Sequence, residues 1–162
     1  MIVTERCLKS FYTPILITNL RNKRGNAMEY NALIKELGVE VILFYPTNPE
    51  SQTDGIYFPD DNIIFVNGML AEIERENIIL HELGHLISGH YRYDCQPDMI
   101  HVGEENQADR YMVKSRAEQY LESFDDQPDY IDIHGFLTLF HIKPSLYDMA
   151  DSVFRQLLNY SN

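Results

Sequence analysis

The residues best placed to do chemistry are five in a row, His81-Glu82-Leu83-Gly84-His85. On a helix each residue advances about 100°, so His81 and His85 differ by about 40° and leave one face a turn apart. Both imidazoles can then reach a single metal ion. Glu82 falls about 60° from His85 on the same flank, beside the ion rather than on it. A general base must stand there to take a proton from a water held at the metal. Zinc suits imidazole and carboxylate ligands and keeps a fourth position open for that water. With six histidines in 162 residues, this spacing arises by chance only on the order of 0.02 times.

A third ligand is expected from the next helix. Glu105-Asn106-Gln107-Ala108-Asp109 offers a carboxylate after nineteen intervening residues, 86–104. Glu105 and Asp109 again lie about 40° apart, and the small Ala108 beside them lets the second helix cross the first closely. Asp109 is placed to accept a hydrogen bond from the second nitrogen of a ligand histidine and fix its tautomer. Glu104 points about 100° away and reads as solvated. The competing account of the histidines is two solvent-facing side chains on a core helix. For Glu105 and Asp109 it is an acidic helix N-terminus favoured by the dipole. His90 is excluded as a ligand because it lies about 180° from His81 on the same helix. A longer three-histidine pattern would need Gly at position 88 and His at 91, where the chain has Ser88 and Tyr91. His101, His134 and His141 stay unassigned; one of them, or Tyr57, Tyr91 or Tyr93, could stabilise an oxyanion.

The elements that must position these groups follow from hydrophobic spacing. Tyr30, Leu33, Ile34 and Leu37 mark an amphipathic helix over 29–37, stopped by Gly38. Val39 to Tyr45 is β-branched and aromatic and reads as a buried strand; 46–55 has loop composition. Ile56–Phe58 and Ile63–Val66 flank the turn cluster Pro59-Asp60-Asp61-Asn62 and suggest a hairpin. A long helix is expected over 69–90, with Glu72, Glu74, Arg75 and Glu76 facing solvent. Residues 91–103 read as irregular, and a second long helix covers 104–124. Two shorter helices are expected over 131–141 and from Pro144 or Ser145 to Leu158, where proline suits a first turn.

Composition sets the outer limits. The chain has 162 residues, 44% apolar and 23% charged, enough for one globular domain. Thirteen Lys and Arg against 25 Asp and Glu give a net charge of −12, which repels phosphate and disfavours direct nucleic-acid binding. Residues 1–27 carry +4 and residues 28–162 carry −16. No apolar run approaches the ~20 residues of a membrane span. Cys7 and Cys95 form no paired pattern, as expected of free thiols in a reducing cytoplasm. Residues 1–27 read as an arm packed loosely on the domain, or as preceding a start at Met28. Residues 28–162 then form a single domain that carries the candidate zinc site, with a C-terminal helix pair at 131–158. Nothing in the sequence sets an oligomeric state.

The combination of HELGH, a preceding strand (Ile63-Ile64-Phe65-Val66-Asn67) and Glu105-x-x-Ala108-Asp109-x-Tyr111-Met112 resembles the ImmA/IrrE metallopeptidases. The resemblance spans roughly residues 28–124. It implies a gluzincin-like site of His81, His85 and Glu105 around Zn2+, with Glu82 as base. The expected fold is α+β: a small antiparallel sheet of about three strands packed on a helical core that carries the HExxH helix and the C-terminal helices. The family's members cleave, or otherwise relieve, a helix-turn-helix repressor. The implied function is therefore a zinc endopeptidase of narrow specificity acting on such a repressor, with the substrate added as a strand along Ile56–Phe58 or Ile63–Val66. The alternative is an interaction module that binds the repressor without cutting it. A DNA-binding role for 131–158 has little support, since this stretch holds only Lys143 and Arg155 as cations. Asp109 and Tyr111-Met112 stand where the family more often has Asn and Phe-Ala.

Overall fold

The computed structural model describes residues 15–16, 28–46, 53–89 and 98–158. The rest of the 1–27 arm, the middle of the 46–55 loop, His90, Tyr91, Tyr93, Cys7 and Cys95 lie outside the described residues. The chain divides into two compact units at Ala71/Glu72. No helix among the described residues is long and apolar enough to cross a membrane.

The first unit holds β1 (Ile15–Leu16), α1 (Met28–Leu37), β2 (Glu40–Phe44), β3 (Gly55–Phe58) and β4 (Ile63–Asn67). Helix α1 ends at Gly38, whose φ of +64° is the left-handed conformation glycine adopts without strain. Val39 N–H donates to Ile34 O at 2.9 Å and Gly38 N–H to Lys35 O at 3.3 Å, closing the helix as a Schellman motif. Asn62, also left-handed at φ 55°, adds a cap from outside. Its Nδ2 donates to Leu37 O at 2.9 Å while its Oδ1 accepts from the Tyr57 hydroxyl at 3.0 Å.

The sheet differs from the antiparallel, three-stranded expectation. Among the described residues it has four strands in the order β1-β2-β4-β3, and β2 runs parallel to β4 with Val41 opposite Ile64 and Leu43 opposite Val66. The hairpin β3/β4 forms, and β1 pairs antiparallel with β2 through Ile15 and Leu43. The reason is visible in burial. Ile42, Phe44, Phe58 and Phe65 form a core cluster on one face. Val41, Leu43, Ile64 and Val66, which project from the other face, are buried as well. Strands buried on both faces read as continuous apolar runs, the mark of parallel pairing, whereas a half-solvated antiparallel strand alternates. Strand β4 is thus interior, so Ile63–Val66 offers no edge to a peptide; of the hairpin strands, β3 is the one at the sheet edge.

The second unit holds α2 (Glu72–Ile87), α3 (Asp98–Leu121), α4 (Ile133–Leu139), a 3-10 turn (Pro144–Leu146) and α5 (Tyr147–Leu157). Helix α3 starts six residues before the expected Glu104, because Gly103 is accommodated inside it. Helices α2 and α3 run antiparallel: Asn77 meets Arg116, His81 meets Asp109, and His85 meets Glu105. Tyr120 of α3 packs edge-on against Phe136, Phe140 and Phe154, which holds the C-terminal helices to it. Asp132 caps α4, its Oδ1 accepting from Gly135 N–H at 3.0 Å. Glu76, expected in solvent, is buried at 3% exposure because Arg116 reaches it from α3.

Helices α2 and α3 come close together at Gly84. A Cβ placed there would lie 2.8 Å from Ala108 Cα and 3.1 Å from Ala108 O, both backbone atoms that cannot swing aside. Gly84→Ala on an open helix would gain about 1 kcal/mol of propensity. Here overpacking costs about 1–3 kcal/mol, which offsets that gain and leaves a net loss of up to about 2 kcal/mol. Urea unfolding reads this directly, and a raised midpoint would contradict the contact.

Candidate metal centre

Helix α2 places His81 and His85 one turn apart on one face, and α3 brings Glu105 and Asp109 against them. His81 Nε2 lies 3.2 Å from His85 Nε2 and 3.3 Å from Glu105 Oε2, and His85 Nε2 lies 3.4 Å from Glu105 Oε1. These three residues form a group that could hold a metal ion. Nitrogen and oxygen ligands at about 2.0–2.1 Å from a tetrahedral ion are separated from one another by about 3.3–3.4 Å. The two Nε2 atoms have that spacing, each lies as far from a different oxygen of Glu105, and one donor atom from each residue falls within 4.8 Å of the others, so the donor set fits zinc.

The fourth residue sets the direction of the first. His81 Nδ1 meets Asp109 Oδ1 at 2.9 Å. A carboxylate on that nitrogen takes its N–H and leaves the Nε2 lone pair facing His85 and Glu105. Glu105 is no helix-terminus acid: α3 begins at Asp98, so Glu105 lies beyond the first turn, where the dipole has faded. Nor are the histidines solvent-facing, since His85 is 6% exposed. Glu82 is buried next in sequence to His81. Glu105 keeps half of its side chain exposed, which gives the ligand group an open side.

The charges are strongly coupled. Burial alone would lower the His81 pKa, but hydrogen bonds to Asp109 and Glu105, with the charges of Glu82 and Asp109, outweigh it and push it up to about 9. Glu105 is held far below the usual carboxylate range, chiefly by its hydrogen bonds to His81 and then His85, against the opposing effect of burial. The folded His81 pKa lies above its ordinary 6.5. Its contribution to the stability of the metal-free fold is therefore complete below 6.5 and is lost as pH rises through about 9. Metal uptake must displace that proton, so metal affinity is expected to rise about tenfold per pH unit from neutral towards pH 9. Zinc titrations across a pH series test this, and a flat profile would contradict it.

Of the remaining candidates, His101, Tyr91 and Tyr93 have no described side chain, and the other three have partners elsewhere. His141 Nδ1 meets Glu74 Oε1 at 3.4 Å, and the His134 ring stacks on Tyr147 with centroids 4.7 Å apart. The Tyr57 hydroxyl donates to Asn62. The sequence reading missed the buried side chain of Arg116. The signal was there: 105, 109, 112 and 116 share one helical stripe, and a cation on an otherwise inward-facing stripe requires a buried partner.

No curated protein matches the chain. A solved structure described as a Mycobacterium tuberculosis transcriptional regulator is 15% identical, with a TM-score of 0.44. The match covers 73% of this chain and 37% of that one, so the chain spans little more than a third of that protein's length. Residues 34–113 match the Peptidase_M78 family, described as the IrrE N-terminal-like domain, and that stretch contains HELGH, Glu105 and Asp109. The matched stretch is thus similar to a metallopeptidase family, the one that the ImmA/IrrE resemblance implied.

Proposed function

We propose that the protein is a zinc-dependent endopeptidase of narrow specificity, with a helix-turn-helix transcriptional repressor as its substrate. The observation that carries the enzymatic part is the convergence of His81, His85 and Glu105, whose imidazole Nε2 atoms lie 3.2 Å apart and 3.3 and 3.4 Å from the two carboxylate oxygens. When bound, the ion supplies Lewis acidity towards a water molecule and towards the scissile carbonyl. Every other task falls to the chain's own side chains. His81 and His85 present neutral Nε2 lone pairs, and Asp109 holds the proton of His81 on Nδ1. Glu82 accepts a proton from the attacking water and delivers it to the departing amide nitrogen.

The preference for a protein partner over nucleic acid rests on charge. Residues 28–162 carry −16, which repels a phosphate backbone and attracts a basic surface, such as the DNA-contacting face of a repressor. The test is to incubate the zinc-loaded protein with helix-turn-helix repressors from the same genome, in water enriched in oxygen-18. Discrete fragments, labelled at one new carboxyl terminus and absent when zinc is chelated, are expected. A repressor that binds tightly and stays whole would instead establish the non-hydrolytic reading.

A further inference from the structure

Beside the metal ligands, α2 and α3 share a second buried polar layer. Arg116, 2% exposed, enters it from α3. Its Nε donates to Asn77 Oδ1 at 2.7 Å, one terminal nitrogen donates to Glu76 Oε2 at 3.0 Å and Ile73 O at 3.2 Å, and the other donates to Gln119 Oε1 at 2.8 Å. The guanidinium carbon lies 5.3 Å from the centre of the Phe140 ring, and Asn77 Nδ2 donates to Phe140 O at 2.7 Å. Asn77 stands one helical turn before His81, and Arg116 two turns after Asp109.

This placement bears on the metal because the ligands come from two helices. His81 and His85 ride on α2, while Glu105 and Asp109 ride on α3. Their mutual distances therefore depend on how far one helix has slid along the other. A slip of one residue is about 1.5 Å, whereas a metal site tolerates about 0.2 Å in its ligand distances. The Gly84–Ala108 contact sets how close the helices come. A smooth contact between small residues leaves sliding uncontrolled, whereas a guanidinium fork with partners in fixed directions controls it. Buried ion pairs add little stability over well-packed apolar replacements, and fixing one register is their best-attested use.

Resting on the metal site proposed above, we infer that Arg116, with Glu76 and Asn77, is a positioning group that locks the α2/α3 register at which His81, His85 and Glu105 converge. Two variants of the full chain test this. Arg116→Met with Glu76→Met replaces the pair by apolar side chains of similar length. Arg116→Lys keeps the charge and loses the fork. Each is read by urea unfolding without metal, by the zinc dissociation constant from chelator competition, and by the cobalt(II) absorption bands, which report ligand geometry.

The double variant is expected to unfold near the parent's midpoint while zinc affinity falls about 10–100-fold and the cobalt bands shift. Arg116→Lys is expected to show a smaller loss in the same direction. Folded variants with the parent's zinc affinity and cobalt spectrum would overturn the inference. If the double variant does not fold, Arg116→Lys decides alone by the same criterion. Failure of both to fold would also count against it, making the layer structural only. The parent is titrated first; if it takes up no zinc, the metal reading itself fails, a separate result.

Discussion

Glu82→Gln is expected to slow peptide-bond hydrolysis by about 10²–10⁴-fold while leaving one zinc per chain. Glutamine has nearly the same shape, so the buried position is refilled without a cavity, and none of the three ligand atoms is touched. What disappears is the carboxylate proposed to accept the proton of the attacking water. The substitution also removes a negative charge that helps hold the proton on His81, so competition between proton and metal eases rather than worsens. Turnover of the cleaved substrate, measured beside metal content, separates the two roles. A variant that keeps both zinc and the parent's rate would show that the base is another group.

His85→Ala is expected to abolish stable zinc binding and, with it, the stabilisation that zinc confers. A ligand that binds only the folded state adds about 2.7 kcal/mol at one hundred times its dissociation constant. For a chain of 162 residues that corresponds to a rise in melting temperature of roughly 5–10 °C. His85 is the more buried of the two histidines, so solvent offers no ready replacement for its Nε2. The parent should therefore show a zinc-dependent melting shift, and the variant none. An equal shift in both would place the metal elsewhere on the chain.

The site was more legible in the sequence than the sheet was. His81, His85, Glu105 and Asp109 are set by helical periodicity, and a helix fixes side-chain directions from local spacing alone; the small Ala108 even announced where the helices cross. Strand order depends instead on which strand inserts beside which. The apolar runs Val41–Phe44 and Ile63–Val66 identified strands without stating that they pair with each other in parallel. Their lack of alternation was the available clue. Glu76 was misplaced for a related reason: beside Glu72, Glu74 and Arg75 it reads as one more solvated charge, until Arg116, 40 residues away in sequence, supplies its buried partner. Periodicity within one helix cannot reveal a partner on another. The C-terminal helices were legible from spacing, and Asp132, which caps the first of them, carries a signal of side-chain type alone.

The most direct measurement is X-ray absorption at the zinc edge on the stoichiometrically loaded protein, compared with Glu105→Ala. One zinc with two imidazole nitrogens and a carboxylate oxygen from the chain is expected, and a loss of one oxygen ligand together with weaker retention in the variant. A zinc environment containing sulfur, or one unchanged by Glu105→Ala, would contradict it.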